Sequence, residues 1–241
     1  MKSPVLLLLT TIFCVPAFQI VFSQDTIGSP VKNGFIIEKL GQLSIEGNYS
    51  DGKKEGAWVT YFPTGYINKV EEYHNGKKNG LFIEIDNKGA LLSQSGFKDD
   101  KLDGVSKSYA RAGKFNWEKN YKMNKLHGLS KIYYEGGVLQ EEAWYQNGLR
   151  DSITTWFDSK GNKVASNRYK EGKFDGPSLT FFPDGQVKSE KTYMMDKLNG
   201  PYKEFDEKGV LRLSGNYVDG EKKGAWLSYD ENSKLILKEK F

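Results

Sequence analysis

An aromatic side chain returns every 24 residues, in strict register, along most of this chain. The series is Tyr49, Tyr73, Phe97, Tyr121, Tyr145, Tyr169, Tyr193, Tyr217 and Phe241. A glycine follows seven positions later at Gly56, Gly80, Gly104, Gly128, Gly176, Gly200 and Gly224, and Ser152 takes its place in the one remaining unit. A fixed period of this length marks a repeat array, in which each unit buries its apolar residues against its neighbours. One enclosed core is therefore excluded. Composition agrees, since a hydrophobic share of 38% with an aromatic share of 14% suits a thin structure held by large rings.

Each unit carries two turn signals and two strand signals. In the unit that starts at Tyr49 the first turn reads Ser50 to Gly56, and the second reads Phe62-Pro63-Thr64-Gly65. Copies of the second are Asp86-Asn87-Lys88-Gly89, Asp158-Ser159-Lys160-Gly161, Phe182-Pro183-Asp184-Gly185 and Asp206-Glu207-Lys208-Gly209. A polar residue or proline with glycine close behind fits a tight loop that ends at positive φ. Between the turns, Leu43, Ile45, Gly47 and Tyr49 occupy alternate positions, as do Leu211, Leu213, Gly215 and Tyr217. Period 2 with aromatic and β-branched enrichment predicts strands. A helix would carry two or three glycines per unit, at about 1 kcal/mol each.

The expected fold is all-β: an elongated antiparallel meander of about eight β-hairpins over 35–241, forming a twisted open sheet that advances about 10 Å per hairpin. The aliphatic series Leu43, Ile67, Leu91, Phe115, Leu139, Val187, Leu211 and Leu235 is expected on the same face as the aromatic series. Lys163 interrupts it near Ser152, so residues 149–168 form the weakest unit.

The first residues differ from the rest. Positions 4–22 are almost wholly apolar, Lys2 is the one charged side chain before Asp25, and Val21-Phe22-Ser23 places small residues at −3 and −1 of a cut before Gln24. Residues 1–23 read as a secretory signal, which predicts export; an uncleaved membrane anchor is the alternative, and Cys14 offers lipid attachment as a third. Residues 24–34 read as a linker. Cys14 is the single cysteine, so the chain beyond it has no thiol chemistry.

The segments Tyr73–Gly80 (YHNGKKNG), Tyr169–Gly176 (YKEGKFDG) and Tyr217–Gly224 (YVDGEKKG) resemble MORN repeats in their 24-residue bacterial variant, grouped with YwqK-type antitoxin-like proteins. The resemblance covers about 35–241. It implies a hairpin array acting as a scaffold for protein contact, with binding of anionic phospholipid or neutralisation of a toxin as further roles.

The residues themselves carry little chemistry. His74 and His127 fall at different repeat positions, without a nucleophile or metal-ligand spacing. No phosphate loop is present, and adjacent carboxylates such as Glu71-Glu72 face opposite sides of a strand. No catalytic, cofactor or metal site is predicted, and the chain reads as a non-enzyme. A net charge of +4 does not point to nucleic acid.

Two sets of binding residues stand out. Lys53, Lys77, Lys101, Lys125, Lys173 and Lys197 recur at one turn position and predict a basic edge facing an anionic phospholipid or polysaccharide surface. Trp58, Phe82, Trp144, Trp156 and Trp226 depart from the main columns and are expected as exposed aromatic contacts. The periodic tyrosines and glycines are expected to be structural.

Overall fold

The computed structural model describes residues 21–22, 32–110 and 113–241. The signal reading of 1–23 lies outside them apart from Val21–Phe22, and so does the linker apart from its last three residues. Val21–Phe22 forms β1, a two-residue strand parallel to Ile36 and Ile37 of β2 (Gly34–Leu40). Next come β3 (Leu43–Ser50), β4 (Lys53–Tyr61) and β5 (Ile67–His74). The pair β4–β5 then recurs seven more times, ending with Glu221–Tyr229 and Leu235–Lys240. From β2 onward, each strand pairs antiparallel with its sequence neighbour, which gives a single-layer meander of hairpins in one open sheet. The all-β hairpin array is as the sequence predicts.

The first turn is tighter than its sequence suggests. Ser50 pairs with Lys53, so the turn is only Asp51-Gly52, with φ of 50° and 73°. Two consecutive positive φ values define a type I′ turn, whose twist matches the strands it joins. The next residues already belong to β4. Glu46 pairs with Val59 and Asn48 with Glu55, so Gly47 faces three residues: Gly56, Ala57 and Trp58. Gly56, at φ 71°, is thus part of a wide bulge inside the strand and not the end of a seven-residue loop. Ser152 holds the same place at φ 71°, a left-handed conformation that a side chain disfavours.

The turns also stitch one repeat to the next. The N–H of Gly76 donates to the Lys54 carbonyl at 2.9 Å, and the same bond recurs from Asp100 to Lys78, Asn124 to Leu102, Gly148 to Leu126, Gly172 to Arg150, Asp196 to Phe174 and Gly220 to Leu198. The second turn closes on glycine, as in Gly65 donating to Phe62, or on an Asp that caps it. Asp86 accepts from the amides of Lys88 and Ala90 at 2.9 and 2.8 Å, and those bonds hold its carboxyl below the usual carboxylate range.

Alternation gives the sheet two distinct faces. The front face holds the 24-residue aromatic series, laced with rings from the longer strands: Tyr49, Trp58, Tyr73, Phe82 and Phe97 follow one another with centroids 4.6–6.4 Å apart. The back face carries cross-strand ion pairs, Lys107–Glu118 at 3.2 Å, Lys131–Glu142 at 3.5 Å and Lys203–Glu190 at 3.7 Å. Lys107 also lies over Phe115, 5.3 Å from its centroid, which puts the aliphatic series on the back face. The expectation that both series share one face is corrected here. A register shift between Ser108 and Tyr109 turns the start of the second strand over.

Candidate functional site

The position that follows the bulge glycine points to the back face. It is apolar in every hairpin: Ala57, Leu81, Val105, Leu129, Ile153, Pro177, Pro201 and Ala225. All but Leu129 are exposed, with Leu81 at 43%, Val105 at 44% and Ile153 at 50%. The bulge explains the exposure, because it lifts this residue out of the paired ladder. At one residue per hairpin, the row has a spacing of about 10 Å. The Lys–Glu pairs lie two residues farther along the same strands and flank the row with charge. Shallow grooves open between neighbours, one of about 370 Å³ touching Val105 and Leu129, another of about 190 Å³ touching Pro177 and Pro201. The row was visible in the sequence as an apolar column, but it gains meaning only once the bulge fixes its direction.

The six predicted lysines do fall on one turn edge, and all are exposed. None takes part in an ion pair among the described residues. The acidic residues of the same turns are bound to backbone instead. Asp100 accepts the Lys78 amide at 2.8 Å, Asp196 the Phe174 amide at 2.7 Å, and Asp103 the Met123 amide at 3.3 Å. Three of the lysines directly face another lysine across the hairpin: Lys98–Lys101, Lys122–Lys125 and Lys170–Lys173. Like charges placed opposite one another destabilise a hairpin.

The five candidate contact aromatics separate. Trp58 and Trp226 are each 2% exposed, contrary to the expectation. Each lies on a glycine of the neighbouring strand. A Cβ on Gly47 would stand 2.3 Å from the Trp58 ring, and one on Gly215 would stand 2.2 Å from that of Trp226. Phe82 is half-buried in the front ladder between Tyr73 and Phe97. Trp156 is also half-buried and donates its Nε1–H to Glu141 at 2.8 Å. Trp144 alone is in the open, at 48%, and it projects from the back face.

The middle of the front face holds a buried polar cluster that sequence reasoning missed. Arg150 Nη2 donates to both Glu141 oxygens at 2.9 and 2.8 Å, and Nη1 donates to Thr154 at 3.1 Å. The guanidinium lies among the rings of Tyr145, Trp156 and Tyr169. Glu141 is 8% exposed, so every part of this charge is spent on internal partners. The Arg150 side chain keeps 27% exposure, so the cluster is enclosed on its Glu141 side and partly open on the other. His74 pairs with Glu55 at 2.9 Å, and no group of three metal-capable side chains occurs among the described residues.

No curated protein matches the chain. Three stretches, residues 126–147, 174–194 and 198–219, match the MORN repeat variant family. Each runs from the longer strand of one hairpin through the second turn to the end of the shorter strand. These three hairpins are similar to MORN-variant repeats, and the other hairpins share their period, bulge and turn geometry.

Proposed function

We propose that this chain is an exported, non-enzymatic repeat scaffold that holds a protein partner along its back face. The observation that carries the reading is the exposed apolar row from Ala57 to Ala225, rimmed by Lys–Glu pairs. Apolar surface of this regularity, edged by charge, suits protein–protein contact. Export rests on the apolar N-terminal segment and its small-residue cut site. The test is affinity capture from the source cell's envelope and medium, with the wild-type chain beside a Leu81→Glu/Val105→Glu/Ile153→Glu variant. Loss of a partner in the variant is expected. Identical capture by both chains sinks the reading.

A second reading follows from the lysine edge. Six exposed ammonium groups, unpaired among the described residues and one per hairpin from Lys53 to Lys197 except at Leu149, suit a phospholipid surface, at up to about 1 kcal/mol per lysine and less in salt. Changing Lys53, Lys77, Lys101 and Lys125 to Glu should abolish flotation with vesicles rich in phosphatidylserine. Equal flotation with neutral phosphatidylcholine vesicles would reject it. A toxin as the partner is the narrowest version of the first reading, and identification of the captured protein decides it.

A further inference from the structure

We propose that the back-face groove around Trp144, which adjoins the apolar row where Trp144 pairs with Leu129, is a saccharide site. The groove has a volume of about 660 Å³, within the range of sites for small molecules. It forms at the one hairpin whose bulge glycine is replaced. In neighbouring repeats, the back-face residue before the periodic tyrosine lies against that glycine. Asn120 lies on Gly128, Arg168 on Gly176 and Thr192 on Gly200, with side-chain atoms 3.4 Å or less from where a Cβ would stand. Trp144 occupies the same position. Ala143 pairs with Thr154 and Tyr145 with Arg150, so Trp144 faces the bulge at 151–153. There the residue is Ser152, whose Cβ occupies the resting place of the ring. Trp144 is left exposed, at 48%.

The surroundings of the ring set the ligand class. His127, Gln146, Asp151, Arg168 and Asp175 line the groove, and no aliphatic side chain does. Much of their hydrogen-bonding capacity is unused. His127 Nδ1 is buried without a partner. Gln146 and Arg168 make no side-chain hydrogen bond among the described residues, and Asp151 uses one oxygen on the Ser152 amide at 3.0 Å. Charges of both signs surround the space, so neither a strongly anionic nor a strongly cationic ligand is favoured. The apolar part of the lining is aromatic, from Trp144, Tyr145 and Tyr169, with no aliphatic side chain. A pyranose meets all three conditions: its C–H face covers a flat aromatic ring, and its hydroxyls both donate and accept.

The experiment is ¹⁹F NMR of the full chain labelled with 5-fluorotryptophan. The five tryptophans give five resonances, and that of Trp144 is assigned by its loss in Trp144→Phe. The probes are neutral hexose, N-acetylhexosamine and uronic-acid disaccharides. At least one should shift the Trp144 resonance saturably while Trp58 and Trp226 stay fixed. Arg168→Ala should weaken that binding by tenfold or more. Ser152→Gly should weaken it as much while leaving the fold intact, because the indole can then lie down on the sheet. Silence across all three probe classes overturns the proposal. So does a shift that survives Ser152→Gly unchanged, or one produced by a short aliphatic peptide and by no sugar.

Discussion

The two ends of the array and its middle fill the same repeat position in opposite ways. Along the front face, the residue two places after the bulge glycine reads Trp58, Phe82, Ser106, Ser130, Thr154, Ser178, Tyr202 and Trp226. Rings at both ends give way to small hydroxyl residues in the centre. The cross-strand partner changes with it. Gly47 and Gly215 lie beneath the two tryptophans, while Ser95, Lys119, Ala143 and Asn167 face the small residues. Both arrangements bury the site, since Ser106, Ser130, Thr154 and Ser178 are no more exposed than 4%. The same backbone position therefore accepts cross-strand pairs of unlike size. At the ends, one large ring over a glycine gathers apolar area where fewer neighbouring hairpins supply it. The centre has hairpins on both sides and manages with hydroxyls and an ion pair.

The sharpest way to break this comparison is to give the end glycines a side chain. Gly47→Ala sets a methyl 2.3 Å from the Trp58 ring and must displace it. A loss of about 3 kcal/mol is expected in urea unfolding, from overpacking and from exposure of the indole. Ser95→Ala, the same position opposite Ser106, should change stability by less than about 0.5 kcal/mol. If the two variants behave alike, the packing of a ring over a glycine is not what distinguishes ends from centre.

The next effect belongs to the centre. Arg150→Met leaves Glu141 buried without its cation and should cost about 3 kcal/mol. Arg150→Met with Glu141→Leu should recover most of that loss, because a buried ion pair and a packed apolar pair are close in stability. Recovery would identify the cluster as one packing solution among several. A double variant no better than the single would mean that Trp156 and Thr154 depend on the charged pair for their place.

How much of this was legible beforehand follows from what each feature requires. The strands, the hairpin phase and the basic edge come from period and spacing alone, so Tyr49, Gly65 and Lys53 were readable from the sequence. The burial of Trp58 was not, because it depends on Gly47 lying across the strand from it. That pairing appears only when the two-residue turn at Asp51-Gly52 and the bulge at Gly56 are both counted. A signal was present: glycine precedes tryptophan by eleven residues at Gly47–Trp58 and again at Gly215–Trp226. The back-face row was hidden for the same reason, since a bulge decides which way Leu81 and Val105 point.

A smaller effect tests the boundary unit between these regimes. Ser152 sits at φ 71° where glycine serves elsewhere. The left-handed conformation costs an L-residue about 1–2 kcal/mol, and the freedom that glycine restores to the unfolded chain offsets part of the gain. Ser152→Gly should therefore stabilise by about 0.5–1 kcal/mol, read as a raised urea midpoint at constant slope. No gain would mean that the Asp151 bond to the Ser152 amide already relieves the strain.

The effect expected to be smallest per group should leave ends and centre unseparated. Asp86, Asp158 and Asp206 cap second turns spread along the array, and amide bonds hold all three carboxyls below their ordinary range. A depressed folded pKa contributes stability that is present above about pH 4, the ordinary carboxylate value, and lost as pH falls through the folded value. Hydrogen exchange along the chain, followed downward from pH 5, should show hairpins at both ends and in the centre loosening together in that window. Asp158→Ala should flatten the response of its own hairpin and leave the others unchanged. If the centre opens first and Asp158→Ala does not alter it, the turn carboxylates do not govern the acid response.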